Sequence, residues 1–128
     1  MPETRIDPRA RTQSILAETS SAAGMEMAAA PAAGQITISL TNDSGRIALN
    51  WTNTGAIGKY DYVALYDNPP ADPYGYLTNQ WQWVTVETGI YPTDTQATGG
   101  TPYWIAYGAW DYGSGAYVLV QTAGPFRF

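Results

Sequence analysis

The sequence contains no cysteine and no histidine. Disulfides, thiolate nucleophiles and Cys-ligated zinc are therefore impossible, and neither a Ser-His-Asp nor a Cys-His catalytic arrangement can be built. With histidine goes the commonest general base and transition-metal ligand. Charge is scarce as well: charged residues make up 13% of the chain, about half the usual share, and 6 Lys and Arg face 11 Asp and Glu. The formal net charge of -5 leaves no cluster of cations to displace counterions from a phosphate backbone, so nucleic acid is not an expected partner. From residue 35 onward the only cations are Arg46, Lys59 and Arg127, which excludes a polybasic attachment to anionic lipid. No apolar run approaches the roughly 20 residues of a membrane span, and the N-terminus lacks the apolar core of a signal peptide. The expectation is cytoplasmic synthesis without a Sec signal, with non-Sec export open and the final compartment unassigned.

Aromatic residues are missing from the first 34 positions, whereas five Trp, ten Tyr and two Phe fall between Trp51 and Phe128. That asymmetry divides the chain into an Ala/Ser/Pro-rich N-terminal arm, residues 1–34, and a domain, residues 35–128. Without large side chains the arm buries too little apolar surface to offset its own chain entropy. Its anchors are Ile6, Ile15 and Leu16. Asp7 followed by Pro8 reads as an N-cap and first helical residue, so a short helix over 9–18 competes with a structureless tail.

From Gln35 the periodicity is two. Ile36, Ile38 and Leu40 share one face of a first strand, and Ile47, Leu49 and Trp51 share one face of a second. Between them Asn42-Asp43-Ser44-Gly45 has the chemistry of a tight turn, so the pair reads as a hairpin. In residues 60–66, Val63 and Leu65 alternate with Tyr62, Ala64 and Tyr66 before the breaker run Asp67-Asn68-Pro69-Pro70. Residues 81–86, 103–110 and 116–122 complete the strong strands, and Phe126-Arg127-Phe128 is placed to close a sheet. The pattern predicts an all-β chain: an immunoglobulin-like antiparallel β-sandwich of about seven strands with an N-terminal extension.

The run Tyr60-Asp61-Tyr62-Val63-Ala64-Leu65-Tyr66 resembles the D-W-[VI]-G-[LI]-[FY] strand of SKICH-type domains and related immunoglobulin-like modules. Tyr62 and Ala64 stand where that pattern has Trp and Gly. The Trp-containing strand and terminal P-F-x-F of such domains have counterparts here in Gln80-Trp81-Gln82-Trp83 and Gly124-Pro125-Phe126-Arg127-Phe128, so the resemblance spans about residues 46–128. It implies a non-catalytic targeting or protein-interaction module, although a fold does not carry its function with it.

Candidate chemistry is thin. The domain's carboxylates are Asp43, Asp61, Asp67, Asp72, Glu87, Asp94 and Asp111, and a glycosidase needs two of them about 5 to 9.5 Å apart across a cleft. Most stand where Asp serves backbone turns instead. Asp67, Asn68 and Asp72 are oxygen donors near one another, but their spacing is that of Asx turns in a Pro-rich loop and not of a calcium loop. Neither a metal nor a cofactor is expected, and the chain is read as a non-enzyme.

The surplus of rings says more. If Val63 and Leu65 point into the core, Tyr62 and Tyr66 point away from it, and Trp81 and Trp83 lie opposite Gln82, Val84 and Val86. An outward row of Tyr and Trp marks a contact surface. The competing expectation makes these rings ordinary cross-strand pairs, or makes Trp81 and Trp83 themselves the core. Two functions follow from a contact surface. The face, a sheet edge and the arm could bind protein, including other copies of this chain, as a self-assembling structural subunit. Alternatively the rings stack on sugars while Asn68, Asn79 and Gln82 hydrogen-bond their hydroxyls, as in a lectin-like carbohydrate-binding module.

Overall fold

The computed structural model describes Asp7, Pro8 and residues 33–128. Asp7 precedes Pro8, whose backbone is helical, as the Asp-Pro pair predicts. The expected helix over 9–18 and the anchors Ile6, Ile15 and Leu16 lie outside the described residues.

After one 3-10 turn, Ala33–Gln35, seven strands follow: β1 Ile36–Asp43, β2 Arg46–Asn53, β3 Tyr62–Tyr66, β4 Trp81–Trp83, β5 Thr88–Gln96, β6 Tyr103–Asp111 and β7 Ala116–Phe126. They form two antiparallel sheets, β1-β2-β5 and β4-β3-β6-β7, packed as a sandwich. The chain crosses between sheets from β2 to β3, from β4 to β5 and from β5 to β6, and the fourth strand pairs with the third in the second sheet. This is the immunoglobulin-like arrangement with the fourth strand moved across from the first sheet.

Local chemistry accounts for the elements. The β1–β2 hairpin pairs Asp43 with Arg46, leaving Ser44 and Gly45 as a two-residue turn with φ of 53° and 91°. Two successive left-handed residues match the right-handed twist of the flanking strands. The Asn42 carboxamide secures the turn by accepting from Gly45 N at 2.8 Å. The core between the sheets is mainly aliphatic, with Ile36, Ile38, Leu40, Ile47, Leu49, Val63, Leu65 and Ile105 joined by the rings of Trp51 and Tyr107. These residues alternate along their strands as predicted.

Three details differ from the sequence reading. Strand β4 stops at Trp83 instead of reaching Val86, although Val84 is still buried in the core and its N–H bonds Asp61 O at 2.9 Å. Strand β5 was not among the strands expected, because it buries only Thr93 and carries Pro92 in its middle. It is an edge strand, where proline is tolerated, and its neighbour β2 holds it with Thr93 Oγ1 donating to Ile47 O at 2.7 Å. Strand β7 runs to Phe126, opposite Tyr103, so the C-terminal Phe-Arg-Phe contributes one residue to the sheet.

Candidate interaction face

The four-stranded sheet has two apolar faces. Its inner face supplies the sandwich core. On its outer face lies a second cluster in which Tyr60, Tyr62, Ala64, Tyr66, Trp81, Ala106, Trp110 and Tyr117 are joined by Tyr76 from the β3–β4 connection. The floor of this cluster is made of small residues: Ala64 pairs with Ala106, and Tyr62 with Gly108. A Cβ at Gly108 would stand 2.5 Å from the Tyr62 ring, so glycine is what lets that ring lie flat on the sheet. Tyr62 is the hub, in edge contact with Tyr117 at 5.0 Å, Tyr76 at 5.7 Å and Trp83 at 6.4 Å between ring centroids. Edge-to-face pairs of this kind stabilise beyond the area they bury.

A roof covers the rings. The β3–β4 connection folds back over them, with the Tyr66 hydroxyl donating to Asp72 O at 2.8 Å and the Tyr62 hydroxyl donating to Pro73 O. Asp72 also accepts from Tyr74 N at 2.9 Å, the Asx turn expected of it. Asp67 accepts from the Asn68 carboxamide at 2.8 Å. The Tyr76 hydroxyl donates to the carboxylate of Asp7, and Pro8 beside it in the chain is buried. One residue of the arm, Asp7, thus reaches this face. Among the described residues only the Trp110 indole N–H is buried without a hydrogen-bond partner, so ring packing rather than polar recognition closes that end.

The expected binding residues separate into four groups. Tyr62, Tyr66 and Trp81 do point away from the core, but with exposures of 0%, 3% and 2% they are sealed, and the expectation of a row facing solvent is corrected. Trp83 sits half-buried at the rim, with its ring edge-on to Trp81 at 5.1 Å. Gln82 pairs with Val63 and so lies on the core side, away from both Trp rings. Asn68 and Asn79 are exposed, Asn79 at a left-handed φ of 65°. These seven residues do not converge on one pocket. The large apolar side chains left exposed among the described residues are Val86 at 51% and Ile90 at 55%, beside the β5 edge.

No protein-family model, curated protein or solved structure matches this chain.

One buried polar group went unrecognised in the sequence. Asp61, 2% exposed, accepts from the Tyr107 hydroxyl at 2.6 Å and from Gly58 N at 2.9 Å through the same oxygen. Asn53, from the opposite sheet, donates to the Tyr107 hydroxyl at 3.0 Å, so the three side chains bridge the sandwich. Burial pushes the Asp61 carboxyl up to about 6, against the opposing pull of the Tyr107 and Gly58 hydrogen bonds. Burial likewise drives the Tyr62, Tyr107 and Tyr117 phenols upward, so none of these three supplies a phenolate near neutrality. The other domain carboxylates are exposed or half-buried, and no group of three acidic residues among the described residues is arranged to hold a metal ion. No described helix is long and apolar enough to cross a membrane.

Proposed function

We propose that this chain is a non-catalytic interaction module that makes protein–protein contacts, self-assembly as a structural subunit included, through the aromatic outer face of its four-stranded sheet, its sheet edges and its N-terminal arm. One observation carries the reading. Asp7, 69 positions from Tyr76 in sequence, meets the Tyr76 hydroxyl on a sheet face that the sandwich core does not use. An antiparallel sheet ordinarily packs one face and wets the other. Here the second face is built of rings and is roofed by polypeptide, which is the material such a face accepts.

The pieces that resemble SKICH-type domains fall on β3, on β4 and at the end of β7, all in the four-stranded sheet. We place the chain nearer to such targeting modules than to an enzyme on that ground and on the absence of histidine and cysteine. The carbohydrate alternative keeps one supporting observation, the half-buried Trp83 with exposed Asn79 and Asn68 in the connection that precedes its strand. A glycan array with a Trp83→Ala control tests it, and silence from the parent protein ends it.

For the leading reading, removing residues 1–34 is expected to reduce an assembled protein to monomers by light scattering. A synthetic peptide of residues 1–34 is expected to bind the shortened chain. Tyr76→Phe should weaken that binding roughly tenfold or more, the loss of one hydrogen bond to a charged acceptor. A peptide that fails to bind a shortened chain with intact strand content by circular dichroism overturns the reading.

A further inference from the structure

We propose that the open edge of β5, over residues 88–92, takes up an extended, basic segment of another protein as an added strand; this rests on the reading of the chain as an interaction module and gives one of its sheet edges a partner. Three observations show which backbone groups of β5 face outward. Asn53 N donates to Glu87 O at 2.7 Å, so Glu87 turns its carbonyl toward β2. Alternation along the antiparallel pair then turns Gly89 and Tyr91 the same way, and Thr88, Ile90 and Pro92 away from β2. Pro92 has no N–H to give, which a strand tolerates where that position faces outward. Asp94 N, next in the outward series, is held at 2.7 Å by the Gln80 carboxamide oxygen and not by β2. Thr88 and Ile90 thus present both N–H and C=O at the edge and Pro92 its C=O, and among the described residues no strand lies beyond them. The other edges offer less: β4 is three residues long, and β1 lies against β7, with Gln121 Nε2 donating to Ile36 O at 3.2 Å.

Side chains and charge identify the occupant. Ile90 is exposed on this edge and Val86 just before it, and an incoming strand covers them with its own alternate side chains while its main chain bonds Thr88 and Ile90. Carboxylates flank the open stretch. Glu87 is exposed at one end, and at the other Asp94, 82% exposed, lies 3.9 Å from Arg46, a separation and exposure at which an ion pair neutralises little. A second copy fits poorly on two counts. Two β5 edges paired antiparallel about Ile90 set each Thr88 against the other's Pro92, whose nitrogen has no hydrogen for the Thr88 carbonyl. The same register brings Glu87 of each copy beside the strand end that carries Asp94 of the other, placing like charges together at both ends. A basic segment without proline supplies an N–H at every outward position and a cation for each carboxylate.

The probe is the end-blocked peptide Lys-Thr-Val-Thr-Ile-Thr-Val-Lys, whose Ile falls opposite Ile90 when its two Lys stand opposite Asp94 and Glu87. Added to the full-length chain, it is expected to slow amide hydrogen exchange at Thr88 and Ile90 roughly tenfold or more by NMR, the loss of two open donors. The Asp94 amide, already bonded to Gln80, should change little. A peptide with Pro in place of its Ile has no N–H for Ile90 O, and one with Glu in place of both Lys meets two carboxylates; each should bind roughly tenfold more weakly. Glu87→Gln with Asp94→Asn alters exposed side chains and should weaken the basic peptide roughly threefold to tenfold, a difference that shrinks as salt is added. No binding, or binding without protection at Thr88 and Ile90, overturns the assignment of the edge. If the peptide of residues 1–34 still binds the shortened chain in that case, the aromatic face stands without the edge; if neither peptide binds, both readings fall. Protection at Thr88 and Ile90 that grows with protein concentration in the absence of peptide would make a second copy the occupant and overturn the choice of partner.

Discussion

Tyr62→Ala is expected to destabilise the domain by about 3–5 kcal/mol, read as a lowered urea midpoint, because a fully buried ring is removed from the centre of an aromatic cluster that cannot close over the gap. Tyr62→Phe keeps the ring and loses the hydroxyl that donates to Pro73 O, so its cost should be near 1 kcal/mol. The sharper test is the coupling to Gly108. In the parent, Gly108→Ala drives a methyl into the Tyr62 ring 2.5 Å away and should cost about 1–3 kcal/mol. With the ring gone that methyl has room, and alanine is a better strand residue than glycine. Gly108→Ala should then be neutral or stabilising in the Tyr62→Ala background, giving a coupling energy of about 1–3 kcal/mol. Additive costs from the two substitutions would show that the ring does not rest on Gly108. The same cycle bears on the docking face, since Tyr62 contacts Tyr76, the residue that Asp7 reaches.

The alternation in β3 was legible because the period of two assigns Val63 and Leu65 to one face and Tyr62 and Tyr66 to the other without any long-range information. The same period is silent on what lies above each face. Tyr74 and Tyr76 occupy a connection whose prolines identify it only as a break, and their role depends on that connection folding back over β3. Nothing local in Asp7-Pro8 indicates a contact 69 positions away. Gln82 stands between two Trp in sequence, yet strand geometry puts adjacent residues on opposite faces, and its pairing with Val63 sets it on the core side. Strand β5 is not legible from the sequence, because an edge strand with one buried side chain has almost no hydrophobic period. Its place is fixed from outside, by Gln80 accepting from Asp94 N at 2.7 Å and by the Trp51 ring lying on Gly89. Asp61 was visible as a carboxylate. Its side-chain partner Tyr107 lies 46 positions away on β6, and Asn53, which bonds Tyr107 in turn, lies on β2, so its burial was not.

That burial makes stability depend on pH in a direction opposite to the usual carboxylate. Most native Asp residues are held below their ordinary range and strengthen the fold as pH rises. Asp61 is held above it, at about 6 against an ordinary 3.8, because burial penalises the charged form more than Tyr107 and Gly58 favour it. Between those two values the folded state binds a proton that the unfolded state has released. The contribution is therefore fully present below pH 3.8 and is lost as pH rises through about 6, a decline of about 3 kcal/mol for this one group. Other carboxylates titrate in the same interval, so the comparison that isolates Asp61 is with Asp61→Asn. The two hydrogen bonds from Tyr107 and Gly58 reach a single oxygen, Oδ2, which a carboxamide oxygen can replace while remaining neutral at every pH. Urea midpoints measured from pH 4 to pH 7.5 should show the parent losing stability relative to Asp61→Asn, with the gap widening from about pH 4 and levelling off above about pH 6. At neutral pH the variant should be the more stable protein. A constant difference across the range would mean that Asp61 is ionised throughout, its charge satisfied by the two donors, and that the bridge between the sheets carries a full negative charge.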